Sequence, residues 1–291
     1  MKFVPILQPR VWGGCNLAKL GKKLPPRERI GESWEICDRA PSAGSGQAEA
    51  QSVVANGPLA GKTIRRIWNS LAPNPQSPFP LLIKWLDVVQ PLSVQVHPDG
   101  RSAKRLGGEP KTEAWYIVAA ARNAKIWAGL RRGVTRQQLA RAIIAGTAEN
   151  LLCSFRPRVG EVVFMPAGCV HAARGVVALE VQQNSDTTFR LYDWGRGRQL
   201  QIEQGLACVN PRLQPKRGKS ARCKFFSMRA LTFTKTWKSP HGFSIVCIAR
   251  GSGKILWHGG VERFGAGDTW LLPVAAQFET RNQTTAVVVQ V

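Results

Sequence analysis

Acidic side chains are scarce in this 291-residue chain: 18 Asp and Glu stand against 41 Lys and Arg, a formal net charge of +23. Such an excess suits a nucleic acid or a membrane surface as a partner. The basic residues form no recognisable nucleic-acid-binding motif, however. We therefore attribute the charge to a basic proteome or a phosphate-bearing substrate, and expect neither nucleic acid nor a membrane as a partner.

Long apolar runs and paired cysteines are also missing. No run approaches the roughly eighteen apolar residues of a membrane span, and the first apolar run is too short for a signal peptide. The seven cysteines include no C-x-x-C pair. Their odd number argues against a disulfide framework and a thiolate zinc site. We expect a protein of the reducing cytoplasm, with enough hydrophobic residues (44%) for a core.

Two common catalytic signatures are absent as well. The chain has no phosphate-cradling G-x-x-x-x-G-K-[ST] loop and no G-x-S-x-G nucleophile elbow. Histidines number four. His241 and His258 have no ligand-like neighbours, and we interpret them as structural or exposed. Candidate chemistry therefore centres on the other two, His97 and His171.

Many short apolar segments separated by turn signals predict a mainly β protein, a sandwich or barrel. The first eighty residues look irregular apart from one strand. Predicted strands cover residues 31–36, 81–89, 91–97, 113–119, 125–129, 162–165, 176–182, 189–192, 243–249, 254–258, 269–272 and 286–291.

One helix is predicted over residues 135–145. Thr135 is a suitable N-cap, and Gly146 is a suitable stop. Leu139, Ile143 and Ile144 should share the buried face of this helix.

The segment from Gly160 to His171 is the most informative stretch. It reads G-x5-P-x-G-x2-H, in which turn residues bound a short apolar strand and a histidine follows the strand. Residues 267–273 repeat the G-x5-P part without a glycine or histidine after it. We interpret the repeat as a second, smaller barrel without a metal site.

His97 and His171 both follow turn-bounded strands, which suggests a metal site. Gln95 should face the same side as His97, because strand side chains alternate. Glu113 opens a later strand and can supply a carboxylate, so Gln95, His97, Glu113 and His171 form a reasonable ligand shell. The alternative is a set of ordinary buried polar residues.

Two cations accompany these candidates. Lys111 should point to the same face as Glu113, where it can bind an anionic substrate or stabilise negative charge; otherwise it is a surface lysine. Arg190 alternates with apolar neighbours and can point into the same barrel. Its alternative is an ion pair with Asp186 or Asp193.

Six segments in register resemble type I mannose-6-phosphate isomerase (phosphomannose isomerase) in its short bacterial form. The likeness covers residues 3–210 well and the C-terminal part more loosely. The segments are Trp12-Gly-Gly, Gly31-Glu-Ser-Trp-Glu-Ile, Ser93-Val-Gln-Val-His-Pro-Asp, Lys111-Thr-Glu-Ala-Trp-Tyr, Pro166-Ala-Gly-Cys-Val-His-Ala and Asp186-Thr-Thr-Phe-Arg-Leu-Tyr-Asp-Trp-Gly.

The resemblance implies a cupin jelly-roll barrel with one zinc ion per chain. It implies an aldose–ketose isomerase that interconverts mannose 6-phosphate and fructose 6-phosphate through an enediol, with a general base that the sequence does not identify. The implied residues are zinc ligands Gln95, His97, Glu113 and His171, a catalytic Arg190, and Ser93 and Lys111 at the substrate, with Lys111 also a candidate for catalysis.

The sequence predicts three parts: a catalytic cupin domain (1–210) with a helical segment near 135–146, a basic connection (211–238), and a cupin-like β domain without a metal site (239–291). The basic connection holds nine Lys or Arg and no acid between Arg212 and Lys238. Three alternatives stay open: another cupin enzyme, including an isomerase of different sugar specificity; a non-catalytic sugar-phosphate-binding cupin; and a nucleic-acid-binding protein driven by charge.

Overall fold

The computed structural model describes residues 1–39, 50–71 and 77–291. Its architecture is mainly β, as the sequence predicts for a cupin. The strands of the first part are β1 (Ile6–Gly14), β2 (Ile30–Ile36), β3 (Asp38–Arg39), β4 (Ala50–Gln51), β5 (Leu81–Val88), β6 (Val94–Val96), β7 (Glu113–Leu130), β8 (Leu152–Phe155), β9 (Val162–Met165), β10 (His171–Gln183), β11 (Phe189–Tyr192) and β12 (Lys216–Gly218).

The remaining strands are β13 (Ser220–Arg222), β14 (Ser227–Lys238), β15 (Ser244–Arg250), β16 (Ser252–Trp257), β17 (Gly260–Gly265), β18 (Thr269–Leu272) and β19 (Gln277–Gln290). The α-helices are α1 (Ile64–Leu71), α2 (Gly100–Leu106), α3 (Arg136–Ile144) and α4 (Ile202–Cys208). Short 3₁₀ helices cover Asn16–Leu20, Gly57–Leu59 and Ala148–Leu151.

Two antiparallel sheets carry most of the strands. The first runs β1-β2-β5-β10-β7-β9-β12; β6 pairs with β10, β11 pairs with β6, and β8 pairs with β7. The second runs β13-β14-β19-β15-β18; β16 pairs with β19, and β17 pairs with β16. The chain passes from the first sheet to the second between β12 and β13.

A shared hydrophobic core joins the two sheets. Trp85 and Leu179 of the first sheet belong to the same buried cluster as Met228, Leu271 and Val289 of the second. Strand β2 is buried at all seven positions, because it lies between β1 and β5 within this packing. The core therefore does not divide at the predicted domain boundaries, and the division into three parts stays a prediction.

Helix α3 forms where the sequence predicts it. Thr135 is its N-cap, and Thr135 and Gln138 form a reciprocal capping box. Leu139 and Ile143 are buried, but the prediction for Ile144 is wrong, since this side chain is 84% exposed. Helices α1, α2 and α4 have no counterpart among the predicted elements. None of the helices in residues 1–39, 50–71 and 77–291 is long and apolar enough to cross a membrane.

The basic segment differs from the prediction. Residues expected to form a solvated connection make three strands, of which β12 pairs with β9 and β14 pairs with both β13 and β19. The twelve residues of β14 lie between β13 and β19 in the second sheet. Met228 and Phe233 of this strand are buried, whereas its cations are exposed. Two other predictions are also corrected: the strands at 113–119 and 125–129 are one strand, β7, and β19 begins at Gln277.

The repeated G-x5-P pattern has the same local structure in both copies. Gly160 (φ 84°) and Gly267 (φ 85°) take the left-handed conformation that favours glycine. Each is followed by a four-residue strand, β9 or β18, and then by a proline. The two copies therefore share a local structure, although β9 lies between β7 and β12 while β18 is at the end of its sheet.

Candidate metal centre

Three strand ends bring the candidate ligands together. Glu113 is the first residue of β7, His171 is the first residue of β10, and His97 directly follows β6. Strand β10 pairs with both neighbours, placing His171 opposite Gln95 and Gln182 opposite Glu113. The antiparallel register thus gathers residues that lie far apart in sequence.

The three side chains His97, Glu113 and His171 are buried and close together. Nε2 of His97 is 3.2 Å from Oε2 of Glu113, and Nε2 of His171 is 3.0 Å from Oε1 of the same carboxylate. The three ligand atoms lie within 4.8 Å of one another. Among the residues that the structure describes, this is the group of histidine, cysteine and carboxylate side chains suited to hold a metal ion.

The histidine tautomers leave several hydrogen-bond acceptors, and no donor of their own, facing one another in this cluster. Nδ1 of His97 lies 3.0 Å from the carbonyl oxygen of Thr187, and Nδ1 of His171 lies 3.0 Å from that of Cys169. Because a carbonyl only accepts, each Nδ1 carries the proton and each Nε2 presents a lone pair to Glu113. Nε2 of His97 and both oxygens of Glu113 have no hydrogen bond among the described residues, although Oε2 of Glu113 forms an ion pair with Lys111. A cation among these acceptors satisfies all of them, so the donor set fits a divalent metal.

Burial and nearby charges favour a neutral His97 and an ionised Glu113. Burial, reinforced by the nearby Lys111 ammonium, lowers the pKa of His97 to about 3, so His97 is neutral at physiological pH. Burial alone raises the pKa of Glu113, but Lys111, His171 and His97 together bring it well below its usual value. A neutral imidazole beside an ionised carboxylate is the form that binds a metal.

Gln95 also reaches the cluster. Its Nε2 lies 3.3 Å from Nε2 of His171, and its Oε1 accepts a hydrogen bond of 3.2 Å from Oγ of Ser93. An amide turned over about its last torsion offers oxygen instead of nitrogen at the same place. Gln95 therefore lies against His171 at the edge of the cluster, and Ser93 lies behind it.

A pocket of about 400 Å³ opens beside the cluster. It is lined by Ser93, Gln95, Lys111 and Arg190, the residues that the sequence singled out around the metal site. Nζ of Lys111 lies 3.1 Å from Oε2 of Glu113, as expected for two residues on one face. The pocket combines polar and cationic groups, which suits an anionic, hydroxylated ligand.

Sequence analysis missed two buried charges in this pocket. Nζ of Lys84 lies 2.8 Å from Oε2 of Glu180, and Oε1 of Glu180 lies 4.0 Å from Lys111 and accepts a hydrogen bond from the Trp115 indole. Burial raises the pKa of Glu180. Each has apolar residues on both sides within its strand, β5 or β10, and that interruption was the signal available in the sequence.

Lys84 also contacts Glu32, which extends the network to the pocket rim. Their side chains are 3.7 Å apart, and Arg10 lies 3.2 Å from the other oxygen of Glu32. Charges of alternating sign therefore run from Arg10 at the rim to Glu113 at the metal centre. Such alternation lowers the cost of burying each group.

Arg190 lies in the pocket and does not form either of the ion pairs considered for it. Asp193 is paired with Arg196 and Arg198, and Asp186 is paired with Arg39. Within the described ranges, Arg190 donates to the carbonyl of Gln199, and its Nε has no partner. Burial lowers the pKa of Arg190. The free N–H is available to a ligand in the pocket.

The other two histidines lie away from the site. His241 and His258 are exposed, in agreement with the sequence interpretation of them as structural or exposed.

Known proteins are similar to this chain in both sequence and fold. The type I phosphomannose isomerase family, catalytic domain, matches residues 1–156. The chain is 32% identical over 299 residues to mannose-6-phosphate isomerase ManA of Bacillus subtilis (strain 168), covering 93% of this chain and 92% of that protein. The crystal structure of the mannose 6-phosphate isomerase from Bacillus subtilis superposes with a TM-score of 0.86 at 27% identity, covering 100% and 99% of the two chains.

A more distant neighbour shares the fold. It is a mannose 6-phosphate isomerase described as bound with zinc and yttrium, with a TM-score of 0.74 at 15% identity over 100% of this chain and 99% of that one. The family match covers more than half of the chain, and the relative from Bacillus subtilis covers nearly all of it. This chain belongs to the type I phosphomannose isomerase family.

Proposed function

We propose that the protein is a zinc-dependent mannose-6-phosphate isomerase that interconverts mannose 6-phosphate and fructose 6-phosphate. The observation that carries the proposal is the buried His97–Glu113–His171 cluster, whose lone pairs face one another at the side of a cation-lined pocket. Its relatives bear the name of this activity. We further propose one zinc per chain, held by these three residues and Gln95.

The reaction moves a proton between C1 and C2 of the sugar while negative charge develops on the two oxygens. When bound, the metal supplies a Lewis acid toward those oxygens. The guanidinium of Arg190, with its free Nε–H, and the ammonium of Lys111 are the chain's own groups for stabilising that charge. Ser93, buried in the same pocket, provides a hydroxyl for substrate binding.

The proton transfer itself requires an acid–base group that reaches the carbon-bound hydrogen. The sequence does not identify this group. The structure offers Glu180 and Lys84 as candidates, since both line the pocket and lie 2.8 Å from each other. Glu180 has a pKa raised by burial, which brings a carboxyl closer to the range in which it exchanges protons near neutral pH.

The first experiment is a turnover assay. Purified protein receives mannose 6-phosphate with zinc or with a chelator, and the formation of fructose 6-phosphate is followed. We expect turnover with zinc and its loss with the chelator. Metal-loaded protein that binds the sugar phosphate without converting it is a non-catalytic sugar-phosphate-binding cupin, and one that converts only another aldose phosphate is an isomerase of different specificity.

A variant tests the role of Arg190. We expect Arg190→Ala to lower kcat by about two to three orders of magnitude, the usual loss for one stabilising donor, while zinc content stays unchanged. Arg141→Ala, which removes an exposed arginine on α3, is the matched control and should behave as wild type. Zinc loss in Arg190→Ala would assign this arginine a structural role.

The cellular setting is part of the proposal. All seven cysteines are free thiols, which supports a reducing cytoplasm. The proposed ligand of this pocket is the sugar phosphate. The negative charge of the phosphate is complementary to the cations that line the pocket.

A further inference from the structure

We propose that strands β12 and β13 and the start of β14 form a docking surface for duplex nucleic acid, which they bind through its phosphodiester backbone independently of sequence. We call this surface the basic face. It consists of the cations Arg212, Lys216, Arg217, Lys219, Arg222, Lys224 and Arg229, all of them exposed. It reverses the interpretation of these residues as a solvated connection, because four of them lie on paired strands and the other three flank those strands.

Pairing makes the basic face a fixed arrangement of charges. Lys216 is opposite Phe164 of β9, and Ser220 is opposite Arg229 in the β13–β14 ladder. Ala221 and Met228 are buried beneath that ladder, so Arg222 and Arg229 project from its other side into solvent. A surface that is already ordered loses less conformational entropy on binding than a mobile basic linker does.

The charges on this face are largely uncompensated. Arg217 pairs with Glu161 and stacks on Phe155 at 4.0 Å. The other six cations make no ion pair within residues 1–39, 50–71 and 77–291. Two further exposed arginines, Arg156 and Arg158, lie in the loop beside Arg217 and extend the face.

The exposed acidic residues lie away from the basic face, which increases the local excess of positive charge. The most exposed described acids are Glu28, Asp99, Glu109 and Glu203, and all lie on other segments. Acids such as Glu32, Glu113 and Glu180 are buried, where they compensate internal cations. The positive charge of the chain is therefore concentrated at its surface, and a polyanion that contacts the basic face releases counterions from its own backbone.

The chemistry of the face favours a nucleic acid duplex. Membrane surfaces are held by apolar groups that insert beside the cations, but the apolar residues of β13 and β14 point inward, and Val159 is the large apolar side chain exposed nearby, at 63%. Single strands are held by exposed aromatic rings, whereas Phe225 is half-buried with Lys224 over it at 4.8 Å. Arginine guanidinium groups match phosphate geometry.

Binding at this face leaves the proposed active site open. None of the residues that line the pocket at the metal centre belongs to the segment 212–229. The test therefore separates this inference from the proposed function, because the isomerase assay and the nucleic-acid assay can fail independently.

The test measures the affinity of zinc-loaded, full-length protein for a short fluorescein-labelled DNA duplex by anisotropy, between about 50 and 200 mM salt. The variant Lys216→Gln/Lys219→Gln/Arg222→Gln/Arg229→Gln should bind at least about tenfold more weakly. The slope of log K against log salt should become shallower by up to about 3.6, or roughly 0.9 for each phosphate that the variant no longer neutralises.

The matched control removes four exposed arginines elsewhere: Arg66→Gln/Arg122→Gln/Arg132→Gln/Arg141→Gln. It carries the same net charge as the test variant and should keep most of the affinity. Equal losses in both variants would mean that overall charge, and not the basic face, binds DNA. Wild-type protein that binds vesicles of phosphatidylcholine and phosphatidylserine but not the duplex would also overturn the proposal. Unchanged melting temperature and isomerase activity exclude misfolding of either variant.

Discussion

Glu113 is held where its two carboxylate oxygens face three groups at once. Lys111 approaches Oε2 at 3.1 Å, while the two imidazoles present Nε2 atoms that carry no proton. One lysine cannot satisfy a carboxylate and two imidazole lone pairs together, and buried unpaired acceptors are costly. Metal binding at this residue cluster therefore also stabilises the fold, since the ion occupies a site that the unfolded chain lacks.

Gln95 provides the first prediction at this scale. Because its amide lies beside His171 and is fixed by Ser93, we expect Gln95→Leu to lower the apparent zinc affinity by about ten- to a hundredfold. Competition with a chromogenic chelator measures this. Gln201→Leu changes another glutamine of the pocket and should leave zinc affinity intact. Unchanged affinity in Gln95→Leu would remove Gln95 from the proposed ligand set.

Glu32 gives a pH-dependent prediction. Burial raises its pKa, but Lys84 and Arg10 outweigh burial and bring it from 4.5 to about 2. Its carboxylate therefore stabilises the folded state above pH 4.5, and this contribution disappears as pH falls toward about 2. We expect Glu32→Gln to cost about 3 kcal/mol at neutral pH, since lowering a pKa by one unit corresponds to about 1.4 kcal/mol.

The measurement is urea unfolding of the metal-free protein at several pH values. The free-energy gap between wild type and Glu32→Gln should be widest at neutral pH and should narrow steadily below pH 4.5. A gap that stays constant across this range would mean that the variant acts through packing, for example through loss of the hydrogen bond from the Trp34 indole, and not through charge.

At the scale of elements, sequence patterns located strands best where turn residues bound them. Strands β9, β11 and β18 occupy the predicted residues, and β9 and β18 each lie between a left-handed glycine and a proline. Strand β14 was missed because its buried positions, such as Met228 and Phe233, are widely spaced among cations. Its place is set by pairing with β19, a contact across the chain that local patterns do not contain.

Local sequence patterns also singled out some residues of the candidate site and missed others. Residues at strand ends, such as His97 and His171, stand out by their position after a turn-bounded strand. Arg190 stands out by alternating with apolar neighbours, and the resemblance gave it an expected catalytic role. Lys84 and Glu180 did not stand out, because they pair with each other across about a hundred residues of sequence, and local patterns do not contain that contact. Short helices such as α2 and α4 were missed because seven residues contain too few turns to show a helical period.

Helix α3 allows a prediction from two adjacent isoleucines. Ile143 is 5% exposed and packs into the core, whereas Ile144 is 84% exposed. We expect Ile143→Ala to lower the free energy of unfolding by about 2–4 kcal/mol and Ile144→Ala to change it by less than about 0.5 kcal/mol. Denaturant unfolding measures both, and the same chemical change makes each variant the control for the other. Equal effects would mean that α3 is rotated relative to this description.

At the scale of the whole molecule, the shared core predicts that the two sheets unfold together. Because Met228 and Val289 of the second sheet pack in one cluster with Trp85 and Leu179 of the first, neither sheet buries its apolar face alone. We expect the metal-free chain to unfold in a single cooperative transition. Met228→Ala should lower its free energy of unfolding by about 2–5 kcal/mol, and Met228→Leu by less than about 1.5 kcal/mol.

A truncated chain without the second sheet tests this prediction more directly. A chain that ends at residue 210 contains all the proposed ligands and Arg190, but it lacks β12 to β19 and therefore exposes the cluster around Trp85. We expect it to lose the cooperative transition and to bind zinc weakly, as measured by calorimetry and chelator competition. If this shortened chain instead unfolds cooperatively and converts mannose 6-phosphate, residues 1–210 are an independent catalytic unit, as the sequence-based division predicts. The contacts across the two sheets would then be dispensable for the chemistry.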